Sequence, residues 1–186
     1  MKELAWKLIA RFLSQPAVAG WLVERAKKTP YSPIWKNGVL YMERNWLFNP
    51  YPLTDADRAK QTWLSKKLPS ARIHVIHQRD TDRDKHSHPW DSRTIILDNA
   101  YIEERRTGWR EVDGKWVHDY TTRYRRQRGD TATLTPADYH RIVELEGDKP
   151  VTTLFITWEY AAKWGFLVEG KHIPWRQYLG LDKDKK

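Results

Sequence analysis

From Ala71 to Trp158 the chain breaks into short β-rich runs with turn signals between them and no helical pattern among them. No other feature limits the fold as much. The runs are Arg72 to His77, Arg93 to Leu97, Tyr101 to Glu103, Trp109 to Val112, Lys115 to Val117, Thr131 to Leu134, Arg141 to Leu145 and Val151 to Trp158. Each is rich in β-branched or aromatic residues, which suit a pleated, half-buried surface. Asp113-Gly114 separates two of them and predicts a tight hairpin, because both central positions of such a turn need positive φ. Short strands without crossover helices predict an all-β sandwich or barrel.

The segment before Ala71 is different. Glu3 to Ser14 are strong helix formers, and Pro16 ends that helix and opens a second one running to about Lys28. Leu4, Leu8 and Phe12 form an apolar stripe, with Trp21 and Leu22 as anchors in the second helix. A basic amphipathic helix can lie on a membrane; the expectation here is that the stripe packs on the domain instead. Thr29 to Pro33 is a breaker, and Asn37-Gly38 marks a hairpin between Ile34-Trp35 and Val39 to Tyr41. Thr54 with Asp57 resembles a cap, and Ala56, Ala59, Trp63 and Leu64 predict a helix to about Leu68, stopped by Pro69. The organisation expected is a helical and hairpin extension (1–70) packed on a β-domain (71–160). A closing segment (161–186) follows, docked by Trp164 to Phe166 and Trp175 to Tyr178 and ending in a charged tail from Asp182 to Lys186.

At 186 residues the chain can bury a real core. It contains no cysteine, which excludes disulfides, thiolate catalysis and Cys-ligated metal sites. Ala17-Val18-Ala19 imitates a signal-peptidase site, but Lys7 and Arg11 interrupt the apolar stretch before it, so a cytoplasmic protein with no membrane partner is expected. The formal charge of +9 raises the question of nucleic acid, with basic clusters at Arg105, Arg106 and Arg110 and at Arg123, Arg125, Arg126 and Arg128. No nucleic-acid-reading motif accompanies them, and a solvated outer face of the sheet is the preferred account. Gly-rich phosphate loops, nucleophile elbows and dinucleotide fingerprints are absent too.

His86-Ser87-His88 carries the chemistry. Side chains alternate along a strand, so two histidines one residue apart share a face. A third, His140, arriving on another strand would complete an open set of imidazoles for Fe, Mn, Ni or Zn.

The run His86-Ser87-His88-Pro89-Trp90-Asp91, then Tyr101-Ile102-Glu103, Gly129-Asp130, Pro136, His140-Arg141-Ile142 and Trp164-Gly165-Phe166 resembles the cupin superfamily, in particular a group of small HxHPW-type cupins. The resemblance covers about Arg72 to Trp158. It implies a jelly-roll barrel, with an N-terminal helical extension and a C-terminal closing segment, and a divalent transition metal on His86, His88 and His140. The carboxylate usual in the first cupin motif falls on Ser92, a poor ligand. Asp91 would need a bulge to turn inward. The ligand count is then similar to that of cysteine-dioxygenase-type cupins, and a homodimer is expected by resemblance alone.

Other candidates are His77, placed inward with Ile73 and Val75 while His74 faces away, and Tyr101 with Glu103 as acid–base partners lining the barrel. A core role for His77 and an outward ion pair for Glu103 are the alternatives. Arg141 should face opposite to His140, and Trp90 is expected to pack. His118 and His172 are surface positions. The function expected is a metal-dependent cupin enzyme, dioxygenase-like or using other Lewis-acid chemistry, on a small polar or anionic molecule. A non-catalytic small-molecule or nucleotide-binding cupin and a basic nucleic-acid-associated protein are the alternatives.

Overall fold

The structure is a computed structural model that describes residues 1–36, 38–52, 62–108, 110–117, 120–160 and 163–181. Asn37, the predicted helix start at Thr54 to Ala59, Trp109, His118 and the charged tail lie outside the described residues. The strands are β1 (Pro30–Lys36), β2 (Val39–Phe48), β3 (Ser70–Ile76), β4 (Lys85–His86), β5 (Trp90–Asp98), β6 (Ala100–Arg106) and β7 (Arg110–Val112). They continue with β8 (Lys115–Val117), β9 (Thr121–Gln127), β10 (Thr131–Leu134), β11 (His140–Leu145), β12 (Val151–Tyr160), β13 (Gly165–Val168) and β14 (Lys171–Pro174). The helices are α1 (Lys2–Leu13), α2 (Pro16–Lys27), α3 (Trp63–Lys67) and α4 (Trp175–Tyr178).

Two six-stranded sheets face each other, one ordered β1-β2-β3-β12-β5-β10 and the other β14-β13-β4-β11-β6-β9. Their strand pairs are antiparallel. This is the expected all-β, two-sheet antiparallel architecture, with the sheets opposed but not strictly closed into a barrel. The β7–β8 hairpin turns at Asp113 (φ 51°) and Gly114 (φ 71°), the positive-φ pair its sequence demands. The hairpin β1–β2 does not pack on a face; it extends the first sheet by pairing β2 with β3.

The first sheet is covered on both faces, which explains the unbroken apolar run Ile95-Ile96-Leu97. Ile73, Ile95, Leu97 and Leu154 point outward against Ala10, Ala19, Leu22 and Ala26 of the N-terminal helices. Ile76, Ile96 and Val151 point inward and meet Tyr101, Ile142 and Leu145 of the second sheet. The interior therefore has an apolar end. Its other end is lined on the first sheet by Arg72, His74, Ser92, Thr153 and Thr157, all buried.

The helix pair forms where predicted, with Pro16 opening α2. Leu22 packs as predicted, but the face of α1 that packs is not the predicted one. Leu4, Leu8, Phe12 and Trp21 are about two-thirds exposed, whereas Ala10 is fully buried and Trp6 and Leu13 pack beside it. Small alanines let the helices approach the sheet closely, and that close contact selects the buried stripe. Arg93, outward on β5, secures α1 by an ion pair to Glu3 at 2.6 Å while lying over the Trp6 ring. Only the end of the third predicted helix is described, as α3, capped by Thr62 Oγ1 accepting from the Ser65 backbone N–H. None of the described helices is long and apolar enough to cross a membrane.

Candidate metal centre

His86 ends β4, and β4 lies between β11 and β13. The intervening Ser87 is fully buried and tied to β13: its backbone N–H donates to Gly165 O at 2.9 Å, and the Gly165 N–H donates to Ser87 Oγ at 3.3 Å. With Ser87 fastened on one side, His86 and His88 emerge on the other. His140 opens β11 and pairs with His86 across the ladder. The three rings stand 4.8 to 5.2 Å apart by centroid. One ligand atom from each falls within 4.8 Å of the others. His88 Nε2 and His140 Nε2 are 2.8 Å apart, a spacing that two nitrogens bound at about 2.1 Å to one ion can adopt.

Glu103 stands behind His140. Strand β6 pairs with β11, and its inward residue Glu103 places Oε1 2.8 Å from His140 Nδ1. An ionised carboxylate only accepts, so Nδ1 carries the proton and donates. Nε2 of His140 then offers a lone pair to the trio, 2.8 Å from His88 Nε2. Burial opposes ionisation of Glu103, but the hydrogen bond from His140 and the charge of Arg105 outweigh it and bring the carboxyl to about 2. Arg126 donates to the second oxygen at 3.0 Å. Arg105 Nε lies 2.9 Å from Oε1, close enough for an ion pair but off the line of a hydrogen bond.

The two histidines on the other side are held neutral. Burial, reinforced by His140 and Lys36 against Asp80 and Asp82, lowers His86 to about 4. Burial, with His140 and His86, pushes His88 well below the usual imidazole range. Neutral imidazoles are the form a metal requires. The donor set, its convergence and the carboxylate behind His140 together fit a divalent metal.

The remaining sequence candidates are placed as follows. Tyr101 is buried in the apolar inter-sheet cluster, and burial first, then Glu103, raises its phenol far above the ordinary value. Glu103 turns inward rather than outward, committed to His140 and two arginines. The inward placement of His77 is corrected: its ring meets Glu43 at 2.9 Å on the opposite face of the sheet, beyond the end of β3. The inward residue is His74, stacked on Phe155. Because both faces of this sheet are buried, the apolar residues of Arg72 to His77 do not reveal which face is inside. Ser92 is inward as parity requires, and its hydroxyl donates to Leu134 O at 3.3 Å; Asp91 is exposed. Arg141 faces away and pairs with Glu104 at 2.8 Å. Among the basic clusters, Arg123, Arg125 and Arg128 pair with Glu104, Glu146 and Asp98. His172 is exposed and meets the Tyr139 hydroxyl.

Sequence patterns assign no site role to Asp80 or Arg72, give Phe166 only a docking role and turn His74 away. Asp80 is buried near His86, its carboxylate accepting from the Tyr41 hydroxyl and the Ile142 N–H, each at 2.7 Å. Phe166 pairs with His86 across β13–β4 and stacks on Tyr178, so the C-terminal segment forms part of the wall. Arg72 lies among Trp46, Trp90 and Phe155. His74 completes the set. A paired tyrosine hydroxyl or a buried arginine has no local sequence signature.

Fold and trio define the class: a two-sheet antiparallel β-domain whose interior carries three imidazoles suited to a divalent metal. No family model and no curated protein matches the chain. Among solved structures it is similar to Fe(II)-HppE with the alternative substrate (S)-1-HPP, at 10% identity and a TM-score of 0.47, over 72% of this chain and 57% of that one. It is similar to the hydroxypropylphosphonic acid epoxidase from S. wedmorenis at 13% identity and a TM-score of 0.42, over 68% of this chain and 55% of that one. A third likeness is the Bacillus subtilis oxalate decarboxylase described with Mn(II) centres, at 16% identity and a TM-score of 0.46, over 86% of this chain and 32% of that one. The chain thus spans about half the length of the first two and a third of the last.

Proposed function

We propose that the protein is a metal-dependent cupin enzyme acting on a small polar or anionic molecule, with His86, His88 and His140 holding one divalent transition metal. The observation that carries this is the 2.8 Å approach of the His88 and His140 Nε2 atoms, with the far side of His140 committed to Glu103. When bound, the metal supplies Lewis acidity toward a substrate oxygen or a meeting point for dioxygen and substrate. The chain does the rest. Burial keeps His86 and His88 unprotonated, so their lone pairs are available near neutral pH. Glu103 sets the tautomer of His140 and resists its rotation. Trp90, Phe155 and Phe166 wall the trio with apolar rings and limit water around it. Ser92, bonded to the Leu134 carbonyl, brings no further charged ligand.

Elemental analysis of untagged protein tests this directly. The wild type should carry about one divalent ion per chain, and His86→Ala and His140→Ala should lose it while keeping the β-rich circular dichroism spectrum. Equal metal in all three samples would reject the ligand set.

A further inference from the structure

We propose that Arg72 receives the carboxylate of a small organic acid, making it the anion-binding subsite next to the trio. Arg72 sits on the inner face of β3 and is only 2% exposed. Its guanidinium lies 5.0 Å from the ring centres of Trp46 and Trp90 and 5.4 Å from that of Phe155. Among the described residues no carboxylate is hydrogen-bonded to it, and its Nε and Nη2 have no partner. Those two N–H groups form one edge of the guanidinium, the fork that matches the two oxygens of a carboxylate. A buried cation without a counterion is costly, and aromatic faces compensate only part of that cost. The missing partner is an anion.

The surroundings agree. His74 Nε2, Trp90 Nε1, Thr157 Oγ1 and Tyr51 Oη are also buried and unpartnered. His74 is two residues from Arg72 on the same strand face, and Thr157 lies two residues from Phe155, which pairs with Arg72 across β3–β12. Buried polar groups are ordinarily satisfied. Several orphans around one unpaired guanidinium mark a place built for a polar guest. Rings link that place to the trio: Phe155 is 5.7 Å and Trp90 6.4 Å from His88. An acid held by its carboxylate at Arg72 would have its remaining atoms at the His88 side, where this assignment relies on the metal-centre reading given above.

Calorimetric titration of metal-free and Zn(II)-loaded full chain with propanoate, propionamide and inorganic phosphate tests the assignment. Propanoate should bind saturably in both forms, and the neutral amide and the phosphate should bind at least about tenfold more weakly. Arg72→Gln should weaken propanoate about tenfold or more while metal content stays at the wild-type level, and Arg72→Lys, which keeps the charge without the fork, should fall between. The Arg72 Nε–H resonance of the wild type should shift on adding propanoate, a readout that needs no variant to fold. Equal propanoate affinity in wild type and Arg72→Gln, phosphate or amide binding as tight as propanoate, or an unmoved resonance would overturn the proposal. A chain that takes no metal yet binds propanoate through Arg72 would sink only the metal reading. One that holds metal and ignores propanoate would sink only this one.

Discussion

Glu103 Oε1 accepts a hydrogen bond from His140 Nδ1 at 2.8 Å, and this contact decides which nitrogen of His140 faces His86 and His88. A bare histidine could present either nitrogen. With Nδ1 occupied, Nε2 is the one available atom, and it is the atom that already stands 2.8 Å from His88 Nε2.

Glu103→Gln should therefore lower metal affinity about 10- to 100-fold, the usual effect of removing a carboxylate behind a ligating histidine. Metal-binding isotherms of the variant check this. Unchanged affinity would show that Glu103 only neutralises Arg105 and Arg126.

Lowering the pH should destabilise the metal-free protein in two stages. In the unfolded chain His86 takes up its proton near pH 6.5, in the folded chain at about 4. Between those values the unfolded state binds more protons, so stability falls as pH falls through that window. Glu103 acts in the same sense from about 4.5 down to about 2, with roughly 3 kcal/mol at stake by the size of its shift. Denaturant midpoints measured from pH 7.5 to 3 should decline below pH 6.5. A flat profile down to pH 4 would contradict the burial of His86.

Gly165→Ala should disrupt the edge formed by β13 and β14. A Cβ there would lie 2.2 Å from the Ile173 carbonyl oxygen, and backbone must move to admit it. Because the Gly165 backbone also fastens Ser87, the expected loss is about 1–3 kcal/mol, accompanied by weaker metal binding. A melting temperature and metal content equal to wild type would refute the link.

The two faces of α1 should respond in opposite ways. Leu8→Ser, on the exposed stripe, should change stability by no more than about 0.5 kcal/mol. Ala10→Leu, at the fully buried contact with the sheet, should cost about 1–3 kcal/mol by overpacking. Thermal melts of both variants suffice. A large loss in Leu8→Ser with none in Ala10→Leu would invert the packing described.

Where sequence and structure agree, the relevant signal is local. The pairing of His86 with His88 on one side of the chain follows from strand alternation, and the Asp113-Gly114 turn follows from its φ requirement. Where they differ, two faces of one element carried comparable apolar signals. Leu4, Leu8 and Phe12 form the longer apolar stripe on α1, but the smaller Ala10 makes the closest contact. Along β3 the same ambiguity exchanged His77 for His74, because helices cover one face of that sheet and the second sheet covers the other.

Residue order alone therefore settled the strand-rich architecture, the helix pair before it and the sidedness of the first two histidines, since each depends on neighbours a few positions apart. Tertiary structure alone settled that Glu103 meets His140, that Asp80 lies by His86 and that Arg72 is enclosed by Trp46, Trp90 and Phe155. Those contacts join residues from 6 to 83 positions apart. Their existence depends on strand register and on how the two sheets face, which no short window of sequence encodes.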